Sequence, residues 1–192
     1  MNTVNVFALS GSGTPEDPYR IGSYYDFRDF GYILIGYQCT ANPGAWAVQT
    51  GDVWTTAYDF PPLGFDGETT VPYTGTYDGQ GHEIKINPYI GNTPYCALFG
   101  HVSGGTVKNI VMLTPSYSTS QDNAYCSAIA GILSNGATIE NCIVYGPGLH
   151  ATGNNSNVGV FVGTYEGTGN LVKDCYFYDS NNQNYEMKGT TG

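Results

Sequence analysis

The sequence predicts an all-β solenoid, a short stack of parallel coils preceded by a cap region with one short helix. Three observations predict it. The second half repeats: CALFGHVSGGTVKNIVML (96–113), SAIAGILSNGATIENCIVY (127–145) and GVFVGTYEGTGNLVKDCYFY (159–178) align on Gly100, Gly131 and Gly163, spaced 31 and 32 residues apart. Each unit carries two short apolar strands around a glycine turn, too little to bury its own apolar face, so units of this period must stack to close a shared core. Glycine is 27 of 192 residues with no collagen period, and charged residues are only 11%, against roughly 25% in an average soluble domain. Turns and uncharged polar surface account for both.

The elements follow in chain order. Ser23 and Asp26 form a capping box, with Gly31 as a stop, which predicts one short helix at about 24–30. YILIGYQC (32–39) reads as a strand, and a loop holding Trp46 and Trp54 follows. The division expected is a cap and irregular region at 1–70, a β-solenoid at 71–178 and a polar tail at 179–192, all in one domain.

Within the repeats, parallel strands about 4.8 Å apart set equivalent residues above one another. Ile110, Cys142 and Cys175 should form one internal ladder, and Val107, Ile139 and Val172 another. Asn109, Asn141 and Asp174 alternate with these, pointing to solvent or sitting at a bend where short polar side chains satisfy turn backbone. The remaining cysteines are Cys39, Cys96 and Cys126. Without a CxxC pair, the five read as small buried hydrophobes. Side-by-side stacking of Cys142 and Cys175 brings two thiols near, in a geometry that seldom gives a disulfide torsion.

GTYDGQGHEI (75–84) raises the sharpest functional question. A phosphate loop needs GxxxxGK[ST] and a dinucleotide site needs GxGxxG before a helix; neither is present. Asp78, His82 and Glu83 are catalytic candidates by type. The favoured reading is a corner: Gly75, Gly79 and Gly81 permit the turn, Asp78 ties its backbone, and Ile84 and Ile86 start the core. No paired carboxylates recur on neighbouring units, and GxSxG is absent. His82, His101 and His150 lack metal-ligand spacing, and Asp179, Asn181, Gln183 and Glu186 match a calcium loop poorly. No cofactor or metal is expected. Asn154-Asn155-Ser156 is one glycosylation sequon, meaningful only in a glycosylating secretory route.

The net charge of −10 and six scattered basic residues (Arg20, Arg28, Lys85, Lys108, Lys173, Lys188) argue against nucleic acid and anionic membranes as partners. No stretch nears the ~20 apolar residues of a membrane span. MNTVNVFALS lacks the basic start of a signal peptide. Seventeen tyrosines, including Tyr73, Tyr77, Tyr89, Tyr95, Tyr117, Tyr125, Tyr145, Tyr165, Tyr176 and Tyr178, exceed what a core of this size absorbs. Tyr117, Tyr145, Tyr165, Trp46 and Trp54 are the residues expected to contact partner proteins or glycans.

GSGTPEDPYRI (11–21), GTYDGQGHEI, and the ALFG, GTVKN and TIENC runs of the repeats resemble bacterial and phage surface proteins with a right-handed parallel β-helix and GLUG-type repeats. The resemblance covers about residues 11–178. It implies that fold and no single chemistry. With no signal peptide read at the N-terminus, the reading it favours is a non-enzymatic structural or attachment protein on a virion surface, such as a phage capsid decoration or fibre protein. In this role it would be a homo-oligomer among other virion proteins. The alternatives are a bacterial cell-surface adhesin module binding glycans, and a polysaccharide-degrading β-helix enzyme.

Overall fold

A computed structural model shows an all-β parallel solenoid with a single short helix. The structure describes residues 7–54, 61–86, 93–178 and the backbone of 188–189. Tyr89, residues 179–187 with the weak calcium-loop match, and most of the polar tail lie outside the described residues.

Sheet I is the long one. Its six strands are Tyr19–Ile21, Ala47–Gln49, Thr76–Asp78, Thr106–Lys108, Thr138–Glu140 and Leu171–Lys173, each parallel to the next. Sheet II stacks Val53–Trp54, Glu83–Lys85, Val111–Leu113, Ile143–Tyr145 and Tyr176–Tyr178. Sheet III stacks Phe99–Ser103, Ala130–Ser134 and Val162–Glu166. Two three-stranded sheets form a side arm. One holds Ser116–Thr119, Gly148–Ala151 and Lys188–Gly189; the other holds Tyr95–Cys96, Tyr125–Cys126 and Asn157–Val158.

Register fixes which side chains stack. On sheet I the inward ladder is Tyr19, Ala47, Tyr77, Val107, Ile139 and Val172. On sheet II it is Val53, Ile84, Met112, Val144 and Phe177. Ile110 and Cys142 are fully buried between these ladders, and Cys175 packs against the same cluster partly buried. The outward columns of sheet I are mostly polar: one runs Thr76, Thr106, Thr138 and ends on Leu171, and the other passes from Val48 to Asp78, Lys108, Glu140 and Lys173, whose signs alternate. Lys108 lies 3.5 Å from Asp78, and Lys173 2.7 Å from Glu140. Opposite charges directly across strands favour this register over a one-residue slip, which would bury them.

Asn109, Asn141 and Asp174 sit at the corner between sheets I and II with φ of 56, 50 and 53°. The left-handed region is tolerated by Asn and Asp far better than by branched residues, so the corner selects them. The two asparagine side chains form a run of hydrogen bonds that ends on Asp78. Asn141 Nδ2 donates to Asn109 Oδ1 at 2.7 Å, and Asn109 Nδ2 donates to Asp78 Oδ1 at 2.7 Å.

Two of the three anchor glycines, Gly131 and Gly163, have a packing reason. A Cβ on Gly131 would lie 2.7 Å from the Gly100 carbonyl oxygen and 3.1 Å from the Tyr95 ring. Tyr95 and Tyr125 stack at 5.8 Å over this glycine column, holding the side arm against sheet III. The arm has its own small core of Cys96, Tyr117, Cys126, Leu149 and Ala151.

The helix α1, Tyr24–Ile35, closes the first end of the solenoid. Ser23 caps it, with Asp26 N–H donating to Ser23 Oγ and Ser23 Oγ donating back to Asp26 Oδ2 at 2.8 Å. The helix runs one turn past the expected stop. Gly31 stays inside it, against the Leu63 side chain, because the apolar spacing of Phe27, Phe30, Ile33 and Leu34 continues through it; the left-handed stop is Gly36, φ 79°. The strand expected at 32–39 is therefore helix and cap. Phe30 packs on Tyr19, Tyr73 and Tyr77, and Phe27 on Tyr77, so the helix plugs the core. The solenoid also begins earlier than 71, since Tyr19–Ile21, Ala47–Gln49 and Val53–Trp54 already belong to sheets I and II. Insertion of α1 between the first two strands hides their periodicity.

Candidate functional site

Sheet II presents a different exterior from sheet I. One outward column runs Glu83, Val111, Ile143, Tyr176. The other pairs Trp54 with Lys85 and, one coil on, Leu113 with Tyr145 and Tyr178. The Tyr145 and Tyr178 rings stack at 5.2 Å. Trp54 and Tyr178 are exposed and Tyr145 half-buried. Beside this face, where it meets the asparagine corner, lies an open groove of about 330 Å³ lined by Gln80, Gly81, Asn109, Val111, Asn141 and Ile143. Amide groups on one wall and aliphatic surface on the other, with the aromatic column beyond it, suit a ligand that is polar at its edges and apolar on its faces.

The expected contact residues do not converge. Trp54 and Tyr145 share the sheet II face. Trp46, 37% exposed, lies just before the sheet I strand Ala47–Gln49. Tyr117 is 4% exposed in the side-arm core beside Cys96 and Cys126, which corrects its reading as a surface contact. Its periodic partner Leu149, in register on the next coil, was the available signal of an inward position. Tyr165 stacks on Leu133, which stacks on Val102, and at 55% exposed it lies at the open end of that inward column of sheet III.

The corner at Gly75–Ile84 is tied as a structure. Asp78 Oδ1 accepts from Gln80 N at 3.0 Å and from Asn109 Nδ2. Burial alone would raise the Asp78 pKa; hydrogen bonds from Asn109 and Gln80 and the charge of Lys108 outweigh it and hold the carboxyl below its ordinary value. A depressed folded pKa gives stability above the unfolded pKa of ~3.9, lost as pH falls through the folded value. Asp78→Asn is thus expected to be less stable than wild type at pH 7. Urea titrations across pH should show the gap closing below about pH 4. A pH-independent gap would mean the carboxylate charge contributes nothing. His82 Nδ1 lies 3.4 Å from Asp52 Oδ1, which also accepts from Glu83 N–H. The three catalytic candidates thus serve two different turns, and Ile84 and Ile86 are buried beneath them.

One pairing was not anticipated. His101 Nε2 and Ser134 Oγ lie 2.7 Å apart across sheet III. Burial lowers the His101 pKa, opposed by Glu166. Nucleophilic use needs an accessible serine and a carboxylate on the other ring nitrogen. Ser134 is 4% exposed, and no such carboxylate bond occurs among the described residues, so the pair works as a cross-strand hydrogen bond. A second recess, about 290 Å³, lies beside α1, where Tyr24, Tyr32, Tyr37, Pro62 and Phe65 surround Arg28. The Arg28 guanidinium sits 5.7 Å from the Tyr32 ring centre and bonds Asp29 at 2.8 Å.

Among the described residues no cluster of three His, Cys, Asp or Glu side chains could hold a metal ion, and no helix is long and apolar enough to cross a membrane. All five cysteines are free thiols. No protein-family model matches the chain, so the GLUG-type resemblance rests on its motifs alone. Halomucin from Haloquadratum walsbyi is 30% identical over 163 residues; the match takes in 82% of this chain and 2% of that protein. In structure, the chain resembles a Bacteroides ovatus protein provisionally designated an immunoglobulin A1 protease, with a TM-score of 0.59 and 18% identity over 88% of this chain and 59% of that one. This second likeness shows the fold alone: a parallel β-solenoid.

Proposed function

We propose that this chain is a non-enzymatic structural and attachment module on a particle surface, and that sheet II with its corner groove is the face that binds glycans. The observation that carries this is the contrast between two exteriors of one solenoid. Sheet I is laced with threonines and ion pairs; sheet II offers Trp54, Tyr145, Tyr178 and an amide-lined groove. Stacking of a sugar's apolar face on aromatic rings, with amides bonding its hydroxyls, uses both halves of that surface.

The particle is a virion in the first reading, as a decoration or fibre protein. The second reading, an adhesin module at a cell surface, draws support from halomucin: a stretch similar to this chain makes up 2% of that protein, as one unit in a very long polypeptide. Immunolabelling of intact virions and of cell envelopes separates the two. The binding claim is tested on a glycan array. Trp54→Ala combined with Tyr145→Ala should weaken the strongest signal about fivefold or more, from ~0.5–1.5 kcal/mol per aromatic contact. An array with no signal above background, or signals unchanged by the double variant, overturns it. A new reducing end released from any bound glycan would favour a degrading enzyme, with Asp78→Ala as its control.

A further inference from the structure

Asp78 stands behind the corner groove without lining it, and it touches two residues that do. Its Oδ1 accepts from Gln80 N–H at 3.0 Å and from Asn109 Nδ2 at 2.7 Å. Its Oδ2 lies 3.5 Å from Lys108 Nζ, on the sheet I exterior. Burial would raise the Asp78 pKa, but the bonds from Asn109 and Gln80 and the charge of Lys108 hold it below its ordinary value, so the carboxylate is ionised at pH 7. A carboxylate only accepts, so the Asn109 amide must turn its NH2 to Asp78 and its Oδ1 to the next coil. There Asn141 Nδ2 donates to Asn109 Oδ1 at 2.7 Å, which turns Asn141 Oδ1 onward in the same sense. Each amide keeps one N–H and an acceptor lone pair for a ligand.

The apolar wall has the same electrostatic sign behind it. Glu83 heads the outward column that continues into Val111 and Ile143. Among the described residues Lys85 is the one base on the sheet II face. It stands in the Trp54 column, outside the groove, and Glu83 precedes it by two residues on the same strand. The lining residues themselves carry no charge. A hydroxyl both donates and accepts, so it can use both halves of each amide. A carboxylate or sulfate only accepts, finds no cation in the groove, and is repelled by Asp78 and Glu83.

We infer that the groove takes sugars without charge and refuses those bearing carboxylate or sulfate, and that Asp78 sets this choice. The inference rests on the glycan-binding reading of sheet II. Asp78 is a positioning residue: through Asn109 and Gln80 it fixes which way the amides face, and its charge keeps the field at the groove negative. Lys108 does not cancel that field at the ligand, because the carboxylate stands between Lys108 and the amides.

A glycan array carrying neutral oligosaccharides beside their sialylated, uronate-bearing and sulfated counterparts tests this with the full chain. Each neutral ligand that binds should do so about tenfold or more tightly than its acidic counterpart at low ionic strength. The gap should shrink as salt cuts the screening length from ~30 Å at about 0.01 M to ~3 Å at about 1 M. Asp78→Asn removes the carboxylate and frees Lys108, so it should narrow the low-salt gap to about threefold or less; a merely structural loss would weaken both ligands alike and leave their ratio unchanged. Acidic sugars bound as tightly as neutral ones overturn the inference and leave the glycan-binding reading standing. A gap indifferent to salt means selection by shape and also overturns it, and a gap that survives Asp78→Asn overturns the role of Asp78. If that variant fails to fold, the salt dependence of wild type decides. An array without any signal sinks the glycan-binding reading itself.

Discussion

Gly79→Val is expected to destabilise the protein by about 3 kcal/mol, the upper range of overpacking, and Gly81→Ala by only ~1–2. The two glycines stand two residues apart and fail for different reasons. A Cβ on Gly79 would lie 2.5 Å from the Asn109 carbonyl oxygen and 3.0 Å from Ile110 Cα. Both are backbone atoms of the next coil, and neither can swing aside. Relief would need the coils to part where Gly79 N–H donates to the Lys108 carbonyl. Gly81 meets open space but holds φ at 79°, so its substitution costs local strain alone. Urea unfolding monitored by circular dichroism measures both. Equal costs, or a tolerated valine at 79, would mean that the coils do not stack in this register.

Phe30→Ala should cost about 3–5 kcal/mol, the range for emptying a buried aromatic site. Phe30 is fully buried and lies about 6 Å, ring to ring, from Tyr19, Tyr73 and Tyr77. Tyr19 comes from the first coil and Tyr73 and Tyr77 from a later one, so the cavity would loosen the plug rather than one contact. Because each coil contacts mainly its neighbours, the damage should be graded along the axis. Native-state hydrogen exchange is expected to accelerate in 19–49 before it does in 106–145. Uniform acceleration along the chain would show instead that the solenoid unfolds as one unit.

The repeat was legible because stacking imposes it. Gly131 and Gly163 share a close approach to the coil before them and to the side arm, and Ile139 and Val172 share an inward column with Val107. The corner reading of Gly75–Ile84 also follows from local chemistry, since Asp78 beside glycines is a turn signal. What escaped was what periodicity alone does not carry. The Tyr-Cys pairs 95–96 and 125–126 repeat 30 residues apart, but units counted from Cys96 divide the arm and hide its core. Tyr165 reads as an outer-face residue by type, while register sets it, still exposed, at the end of an inward column. The contacting face of sheet II joins Trp54 to Tyr145 across about ninety residues of chain, and only register reveals that neighbourhood.

The asparagine corner gives the solenoid a direction. Every amide in it donates towards the helix-plugged end, and the run terminates on the Asp78 carboxylate, an acceptor that cannot pass the bond on. Such a run polarises cooperatively, so it behaves as a molecular arrow with a fixed negative anchor. A gene duplication that copied the whole coil around Asn141, some thirty residues, would extend the arrow and lengthen the rod by one rise of ~4.8 Å. A copy bearing aspartate, as at 174, would break it. The identity of one side chain per coil therefore marks where growth of such a rod is permitted and where it stops.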